Sequence, residues 1–189
     1  HLRVFLPPES ALAAEPPAWF WEKRILAGRI SELLTRPRPV GWERVVLKAP
    51  REDGWYERYR TGFEQLVEHE PELLEYTRME EGEDLAALAA NGTLFEIEVD
   101  GRWAGLTAVD VDGREGVEGY LMIEVMLAPH AWGLGLGASV HRRLVERLPD
   151  RQRVLLGEID VRNLPALRAA AAAGRVDVGG YLWAHGATL

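Results

Sequence analysis

Three glycines at every second position constrain the fold of this chain more than any other part of the sequence. They follow the apolar segment Tyr120–Leu127, which predicts a strand, and they precede a segment that predicts a helix to about Leu148. The glycines are Gly133, Gly135 and Gly137. Backbone N–H groups at a helix N-terminus lack intrahelical partners, and glycine lets a bulky anion approach them closely. The segment therefore predicts a seat for a phosphate-bearing ligand.

The composition excludes several classes of protein. The chain has 189 residues, of which 47% are hydrophobic and 28% charged, as in an ordinary globular domain. It has no cysteine, so disulfides and thiolate chemistry are excluded, and a cytoplasmic location is expected. No apolar run is long enough to predict a membrane span, and a net charge of −8 argues against a nucleic-acid partner. No cluster of His, Asp and Glu has metal-ligand spacing, so no metal is expected.

The first half of the chain predicts helices around one or two short strands. Residues 1–42 are interpreted as an N-terminal extension, a strand plus a helix, that packs on a domain formed by residues 43–189. The predicted strands are Leu2–Leu6 and Trp42–Ala49. The predicted helices are Trp19–Thr35, a segment capped by Asp53 that continues to His69, and Gly82–Ala90.

From residue 95 onward the hydrophobic period changes to two. Phe95, Ile97 and Val99 alternate with glutamates, and Asp100-Gly101 predicts a hairpin turn. With return strand Trp103–Val111 and strand Tyr120–Leu127, the pattern predicts an antiparallel meander. The glycines and their helix are followed by a strand, Val154–Val161, which is expected to be parallel to the strand before the glycines. An alanine-rich helix, Asn163–Ala173, and a last strand, Val176–Trp183, come next.

This order of elements resembles the GNAT superfamily of acyl-CoA N-acyltransferases over residues 43–185. The family's cofactor motif is matched by Trp132-Gly-Leu-Gly-Leu-Gly137, with Pro129 three residues upstream. A second family motif, an asparagine before a short helix and a glycine, is matched by Asn163 and Gly174. The resemblance implies an α/β (α+β) fold: a mixed, mostly antiparallel central sheet with helices on both faces and strands splayed at the cofactor site.

The resemblance also implies acetyl-CoA as acyl-donor substrate. The amides around Gly133–Ala138 would take its pyrophosphate, a main-chain N–H near Leu127 would bind the thioester carbonyl, and Asn163 would contact the pantetheine arm or the neighbouring backbone. The cofactor residues implied in this way are Leu127, Ala128, Trp132, Gly133, Leu134, Gly135, Leu136, Gly137, Ala138 and Asn163.

Three positions depart from the family pattern. Trp132 stands where Gln or Arg is usual and offers no charge to a phosphate. Ala170 stands where many members have a Tyr that protonates the departing thiolate, and Arg175 replaces an aromatic residue. Tyr181 is a substitute acid that the sequence does not place. Arg142 and Arg143, early in the predicted helix, are either CoA-phosphate ligands or a solvated face.

Two carboxylates are candidates for the base that deprotonates an amine. Glu158, our first choice, falls where some family members carry a glutamate base. Glu124, our second choice, interrupts the apolar strand Tyr120–Leu127, and partial burial there would raise its pKa toward neutrality. Each also has a structural interpretation: Glu158 as a carboxylate satisfied by neighbouring backbone or by Arg162, and Glu124 as a solvent-facing side chain.

The sequence thus predicts an acetyl-CoA-dependent N-acetyltransferase that acts by direct attack of a small-molecule or protein amine. One alternative is a non-catalytic acyl-CoA-binding or interaction module. Another is a dinucleotide-binding oxidoreductase, because Gly133–Ala138 also matches Gly-x-Gly-x-x-Gly/Ala and Glu158 or Asp160 follows about 20–25 residues later. The acceptor is not readable from the sequence, a homodimer is one expected oligomeric state, and the missing initiator Met leaves open a fragment of a longer protein.

Overall fold

A computed structural model describes residues 2–8, 19–51, 54–111, 113 and 116–184. The strands are β1 (Leu2–Leu6), β2 (Trp19–Arg29), β3 (Val45–Lys48), β4 (Leu94–Val99), β5 (Arg102–Asp110), β6 (Gly119–Leu127), β7 (Val154–Asp160) and β8 (Val176–Ala184). The α-helices are α1 (Ile30–Thr35), α2 (Trp55–His69), α3 (Gly82–Ala90), α4 (Gly137–Arg147) and α5 (Leu164–Ala172). Short 3-10 turns cover Trp42–Arg44, Pro71–Glu75 and Pro129–Ala131.

The strands form a single mixed sheet in the order β1-β8-β2-β7-β6-β5-β4-β3. Every pair is antiparallel except β6 and β7, which are parallel. The β4–β5 hairpin turns at Asp100 and Gly101, whose φ angles of 51° and 78° are both positive, as the Asp-Gly pair predicts. The predicted meander and the parallel return strand are therefore confirmed.

Helices cover both faces of the sheet. Val140 and Leu144 of α4 pack with Ile30 of α1 in one buried cluster, which includes Tyr120 of β6. Tyr59 of α2 packs in a second cluster with α3 and with residues of β4, β5 and β6. Neighbouring residues of a strand point to opposite faces, so one apolar strand can supply both clusters. The predicted fold class is confirmed.

The helix predicted over Trp19–Thr35 is wrong for most of its length. Residues 19–29 form β2, which pairs with β7 on one side and β8 on the other. Ile25 packs on one face of the sheet and Leu26 on the other, so this interior strand has consecutive buried residues and no alternation. Only the end of the segment is helical, as α1.

The other predicted elements agree with the structure within a few residues. Tyr59, Phe63 and Leu66 form the buried face of helix α2, while Asp53, its predicted cap, lies outside the described residues. The division of the chain at residue 42 stays a prediction, although β1 and β2 belong to the same sheet as the later strands.

Candidate active site

The central feature of the site is a fork between β6 and β7. The two strands pair over three residues only: Gly119–Leu121 of β6 pairs with Val154–Leu156 of β7. Beyond these residues β6 stays paired with β5 and β7 stays paired with β2, but the two strands no longer pair with each other. We call the unpaired parts, Met122–Leu127 and Gly157–Asp160, the fork. A register shift in the β5–β6 pairing between Glu124 and Met122 marks a bulge, which bends β6 where the fork opens.

The edge of β6 that faces the fork has no strand partner among the described residues. The Ala128 N–H donates to the Ala104 carbonyl at 2.8 Å, toward β5. N–H groups of successive residues alternate between the two edges of a strand, so the N–H of Leu127 lies on the edge that faces β7. The Leu127 carbonyl accepts a hydrogen bond from the Trp132 indole Nε1 at 2.8 Å. The fork therefore has a main-chain donor at its open end.

The glycine turn, residues 133–137, lies between the end of β6 and the start of α4. Gly133 and Gly135 both have a φ of 70°, and a Cβ on either would have no heavy atom within 4 Å. Among the described residues, no hydrogen bond is donated by the backbone N–H groups of residues 133–139, and no side chain caps α4. Unpartnered donors at the N-terminus of an eleven-residue helix, beside open glycines, suit an anion.

The third glycine of the turn has a packing role. A Cβ on Gly137 would lie 2.6 Å from the Cβ of Ala169, so this glycine lets α4 and α5 approach closely. We expect Gly137→Ala to lower the free energy of unfolding by about 1–3 kcal/mol through overpacking. The double variant Gly137→Ala/Ala169→Gly should recover part of that loss in urea unfolding. Equal stability of the Gly137→Ala variant and the wild type would contradict this packing.

The other predicted cofactor residues have varied surroundings. The Trp132 ring packs edge-on against His69 with centroids 5.5 Å apart, in addition to its bond to Leu127. Leu134 is exposed at the tip of the turn, whereas Leu136 and Ala138 are buried. The predicted contacts of these residues with acetyl-CoA stay predictions.

The second family motif caps a helix. The Asn163 side chain accepts a hydrogen bond from the Ala166 N–H at 3.1 Å and so serves as the N-cap of α5. Ala170, about one helical turn after Ala166, is fully buried against Leu26 and Ile159. The contact predicted between Asn163 and the pantetheine arm stays a prediction.

Glu124 lies on the fork part of β6 in a hydrogen-bonded network. The Tyr59 hydroxyl donates to Glu124 Oε2 at 2.5 Å and itself accepts from the Glu80 N–H at 3.0 Å. Burial raises the pKa of Glu124 to about 7, with the negative charge of Glu80 as a further, smaller cause. A carboxyl that titrates near neutrality can accept a proton at physiological pH. The predicted elevation of this pKa agrees with its surroundings.

Glu158 lies across the fork on β7 and faces the same side of the sheet. Its position is two residues from Leu156, which packs against Leu121 of β6 on the face opposite Tyr120. Glu158 Oε2 lies 3.7 Å from Lys23 Nζ, and the Tyr181 hydroxyl lies 3.5 Å from Glu158 Oε1. The structure thus places Tyr181, which the sequence left unplaced, beside a candidate base.

Sequence reasoning missed Tyr59 and Glu80 as neighbours of the site. The sequence pattern places Tyr59 only within the predicted helix that ends at His69. The available signal was its hydroxyl, because a buried Tyr usually finds a hydrogen-bond partner. Its partner is 65 residues away in the chain, so only the fold reveals the pair.

The arginines of α4 bind the protein itself. Arg142 Nη1 donates to the carbonyls of Leu33 and Leu34, each at 3.0 Å, and Arg143 Nε donates to the Val45 carbonyl at 2.7 Å. These bonds satisfy the end of α1 and the backbone of β3. The sequence left two interpretations of these arginines, a phosphate ligand and a solvated face. The structure favours neither, because both side chains bind backbone carbonyls of the protein.

Within the described ranges, no group of three His, Cys, Asp or Glu side chains could hold a metal ion. In the same ranges, the helices are too short or too polar to cross a membrane.

Comparison with known proteins identifies the family. A family model described as the acetyltransferase (GNAT) family matches residues 51–174, and the chain belongs to that family. The resemblance stated from the sequence is therefore confirmed. The mostly antiparallel sheet does not fit the dinucleotide-binding alternative, which requires a parallel one. No curated protein is significantly similar to the chain.

Solved structures support the same fold at low identity. An acetyltransferase of the GNAT family from Colwellia psychrerythraea is 11% identical, with a TM-score of 0.65, over 94% of this chain and 62% of that one. A GCN5-related N-acetyltransferase from Sphaerobacter thermophilus is 15% identical, with a TM-score of 0.55, over 95% of this chain and 57% of that one. The chain thus spans about three fifths of the length of these two structures.

Proposed function

We propose that the protein transfers an acetyl group from acetyl-CoA to a primary amine by direct attack. One observation carries the proposal: the fork opens beside the unpartnered N–H groups of the glycine turn, and Glu124, with its raised pKa, lies on one arm of the fork. A diphosphate seat, an open strand edge and a base at one place are what acyl transfer from an acyl-CoA needs.

The residues at the fork fit the donor. The N–H groups of residues 133–138 would hold its diphosphate, since they are unpartnered and lie beside glycines that leave open space. The pantetheine arm would lie between β6 and β7. The Leu127 N–H would donate to the thioester carbonyl, whose oxygen gains charge as the amine attacks, and one such donor is worth about 2.7–4 kcal/mol in other enzymes.

Glu124 is proposed as the base, ahead of Glu158. A primary ammonium has a pKa of about 10, so a proton must be removed before the nitrogen can attack. The pKa of Glu124 near 7 suits that task, and Tyr59 fixes its position. Glu158 is paired with Lys23 and accepts a hydrogen bond from the Tyr181 hydroxyl. Tyr181 is proposed as the proton donor to the departing thiolate, a step in which its one O–H turns from Glu158 to the sulfur.

Ligand-dependent thermal stability tests the donor. Acetyl-CoA and CoA are expected to raise Tm, because a ligand that binds only the folded state stabilises it. NAD and NADP should have no effect. Stabilisation by NAD or NADP alone would contradict the proposed donor.

Turnover distinguishes an enzyme from the second candidate, a non-catalytic acyl-CoA-binding module. One observation favours the non-catalytic module. The Trp132 indole donates its N–H to the Leu127 carbonyl, so this position offers no charged side chain to a phosphate of the donor. A panel of amines, including small polyamines and peptide N-termini, should give acetylated product if the protein is an enzyme. Donor binding without turnover of any amine would favour the module. The cytoplasmic location and the homodimer stay part of the proposal.

A further inference from the structure

The Tyr59 hydroxyl is fixed between two partners. Tyr59 lies on α2 and is fully buried. Its hydroxyl accepts a hydrogen bond from the Glu80 N–H at 3.0 Å and donates to Glu124 Oε2 at 2.5 Å. A phenol has a single O–H, and the Glu80 N–H occupies a lone pair of its oxygen. The one proton of this hydroxyl is therefore directed at the carboxylate.

A second tyrosine of α2 holds the same peptide unit. The Tyr56 hydroxyl donates to the Glu80 carbonyl at 3.3 Å, and the rings of Tyr56 and Tyr59 pack with their centroids 5.9 Å apart. The two tyrosines are three residues apart, so they are neighbours on the helix surface. Glu80 thus binds one tyrosine through its carbonyl and the other through its N–H, and the group that orients Tyr59 is itself held in place.

The groups that face Glu124 shift its protonation in opposite directions. Burial raises the pKa of Glu124 to about 7, the hydrogen bond from Tyr59 lowers it, the charge of Glu80 raises it and the Val125 N–H lowers it. Thr107 of β5 binds the main-chain carbonyl of Glu124, through Oγ1 at 3.1 Å, and brings no charge. Among the described residues, no positive charge is one of these causes, so hydrogen bonds stabilise the ionised form.

The charged groups on the other arm of the fork act elsewhere. Glu158 Oε2 of β7 lies 3.7 Å from Lys23 Nζ of β2. Burial raises the pKa of Glu80, as do Asp84 and Glu81, while the charge of Lys23 lowers it. In the described part of the chain, Tyr59 is thus the one side chain that donates a hydrogen bond to the candidate base.

We propose that Tyr59 is a positioning residue that sets the pH range in which Glu124 acts as a base. This inference rests on the proposed function, in which Glu124 accepts the proton of the amine. A hydrogen bond to the charged form of a group favours that form, so the directed O–H keeps the carboxylate ionised at a lower pH than its buried surroundings alone would allow. The same bond holds Oε2 in one place.

Tyr59→Phe removes the hydroxyl alone, and its pH profile tests the inference. The wild-type kcat/KM should rise with pH through about 7. In the variant the midpoint should move up by about one pH unit or more, because a hydrogen bond to a charged group is lost. The rate deficit should be about tenfold or more below the wild-type midpoint and should shrink above the new one. A tyrosine that only packs would lower the rate equally at every pH.

Tyr56→Phe is the matched control. It removes a hydroxyl from the same helix that bonds to the same peptide unit, but it leaves the bond of Tyr59 to Glu124 in place. Each variant loses one hydrogen bond to the Glu80 backbone, so each should lose some stability. The midpoint of kcat/KM in Tyr56→Phe should stay at the wild-type value.

Urea unfolding gives a readout that needs no acceptor. The pKa of Glu124 is 4.5 before folding and about 7 in the fold, so the wild-type free energy of unfolding should fall as pH rises between these values. A further rise of the folded-state pKa in Tyr59→Phe should extend this fall to about pH 8. The same window in both proteins would contradict the inference.

The wild type alone supplies a further test if Tyr59→Phe does not fold. A buried, hydrogen-bonded hydroxyl proton should give a downfield NMR resonance that shifts as its acceptor, Glu124, titrates. A Tyr59 hydroxyl resonance that ignores this titration contradicts the inference, as does an unchanged midpoint in active Tyr59→Phe. No turnover of any amine by the wild type contradicts the proposed function and this inference with it, whereas the unchanged midpoint contradicts this inference alone.

Discussion

Glu124→Gln should reduce the rate of acetyl transfer by about 10²–10⁴-fold, the contribution typical of a positioned general base. The amide keeps the size of the side chain and can still accept the hydrogen bond of Tyr59, but it cannot take a proton. The wild-type kcat/KM should rise with pH through about 7, the pKa to which burial raises Glu124, because the carboxylate is the active form. The variant should lack this step. Initial rates across pH measure both effects.

The same substitution should stabilise the fold at alkaline pH. The pKa of Glu124 is raised in the folded protein from 4.5 to about 7, so between these values the folded state binds more protons than the unfolded state. The free energy of unfolding therefore falls as pH rises through this window, by up to about 3 kcal/mol. Glu124→Gln removes that loss. Urea unfolding should find the variant more stable than the wild type at pH 8, with a smaller difference near pH 4.5.

Glu158→Gln is the matched comparison, since it changes the carboxylate on the opposite arm of the fork. A large rate loss in Glu158→Gln with a normal rate in Glu124→Gln would restore the order predicted from the sequence. Wild-type rates in both variants would mean that neither carboxylate is the base.

Gly135→Asp should lower the affinity for acetyl-CoA by about 100-fold or more, which corresponds to about 2.7 kcal/mol. The new side chain would occupy the open space beside the unpartnered N–H groups and bring a negative charge to the proposed diphosphate seat. Asp tolerates a φ of 70° better than most residues, so the fold should persist. Calorimetric titration with acetyl-CoA measures the loss.

Gly92→Asp is its control. Gly92 has a φ of 73° and equally open surroundings, but it closes α3, in another part of the chain. The two variants share the backbone strain and the added charge. Gly92→Asp should therefore bind acetyl-CoA as the wild type does. Unchanged affinity in Gly135→Asp would remove the glycine turn from the donor site.

Local signals predicted most of the fold. The Asp100-Gly101 turn, the period of two in β4 and the glycines before α4 each depend on neighbouring residues, so the sequence shows them directly. Strand β2 was missed because its pattern reflects long-range pairing: it lies between β7 and β8, both more than 120 residues later in the chain. A strand that is buried on both faces cannot be distinguished from a buried helix by period alone.

The candidate site was predictable where a residue was out of pattern. Glu124 was recognisable because a carboxylate interrupted an apolar strand. Its contact with Tyr59 and the fork itself were not readable, because they depend on how distant segments meet. Arg175 was visible only as a departure from a family pattern, and its burial became apparent only in the structure.

A crystal structure with bound acetyl-CoA tests the central claim most directly. It should show the diphosphate within hydrogen-bond distance of the N–H groups of residues 133–138, with the pantetheine arm between β6 and β7. Acetyl-CoA bound elsewhere on the protein, with the glycine turn empty, would contradict the account.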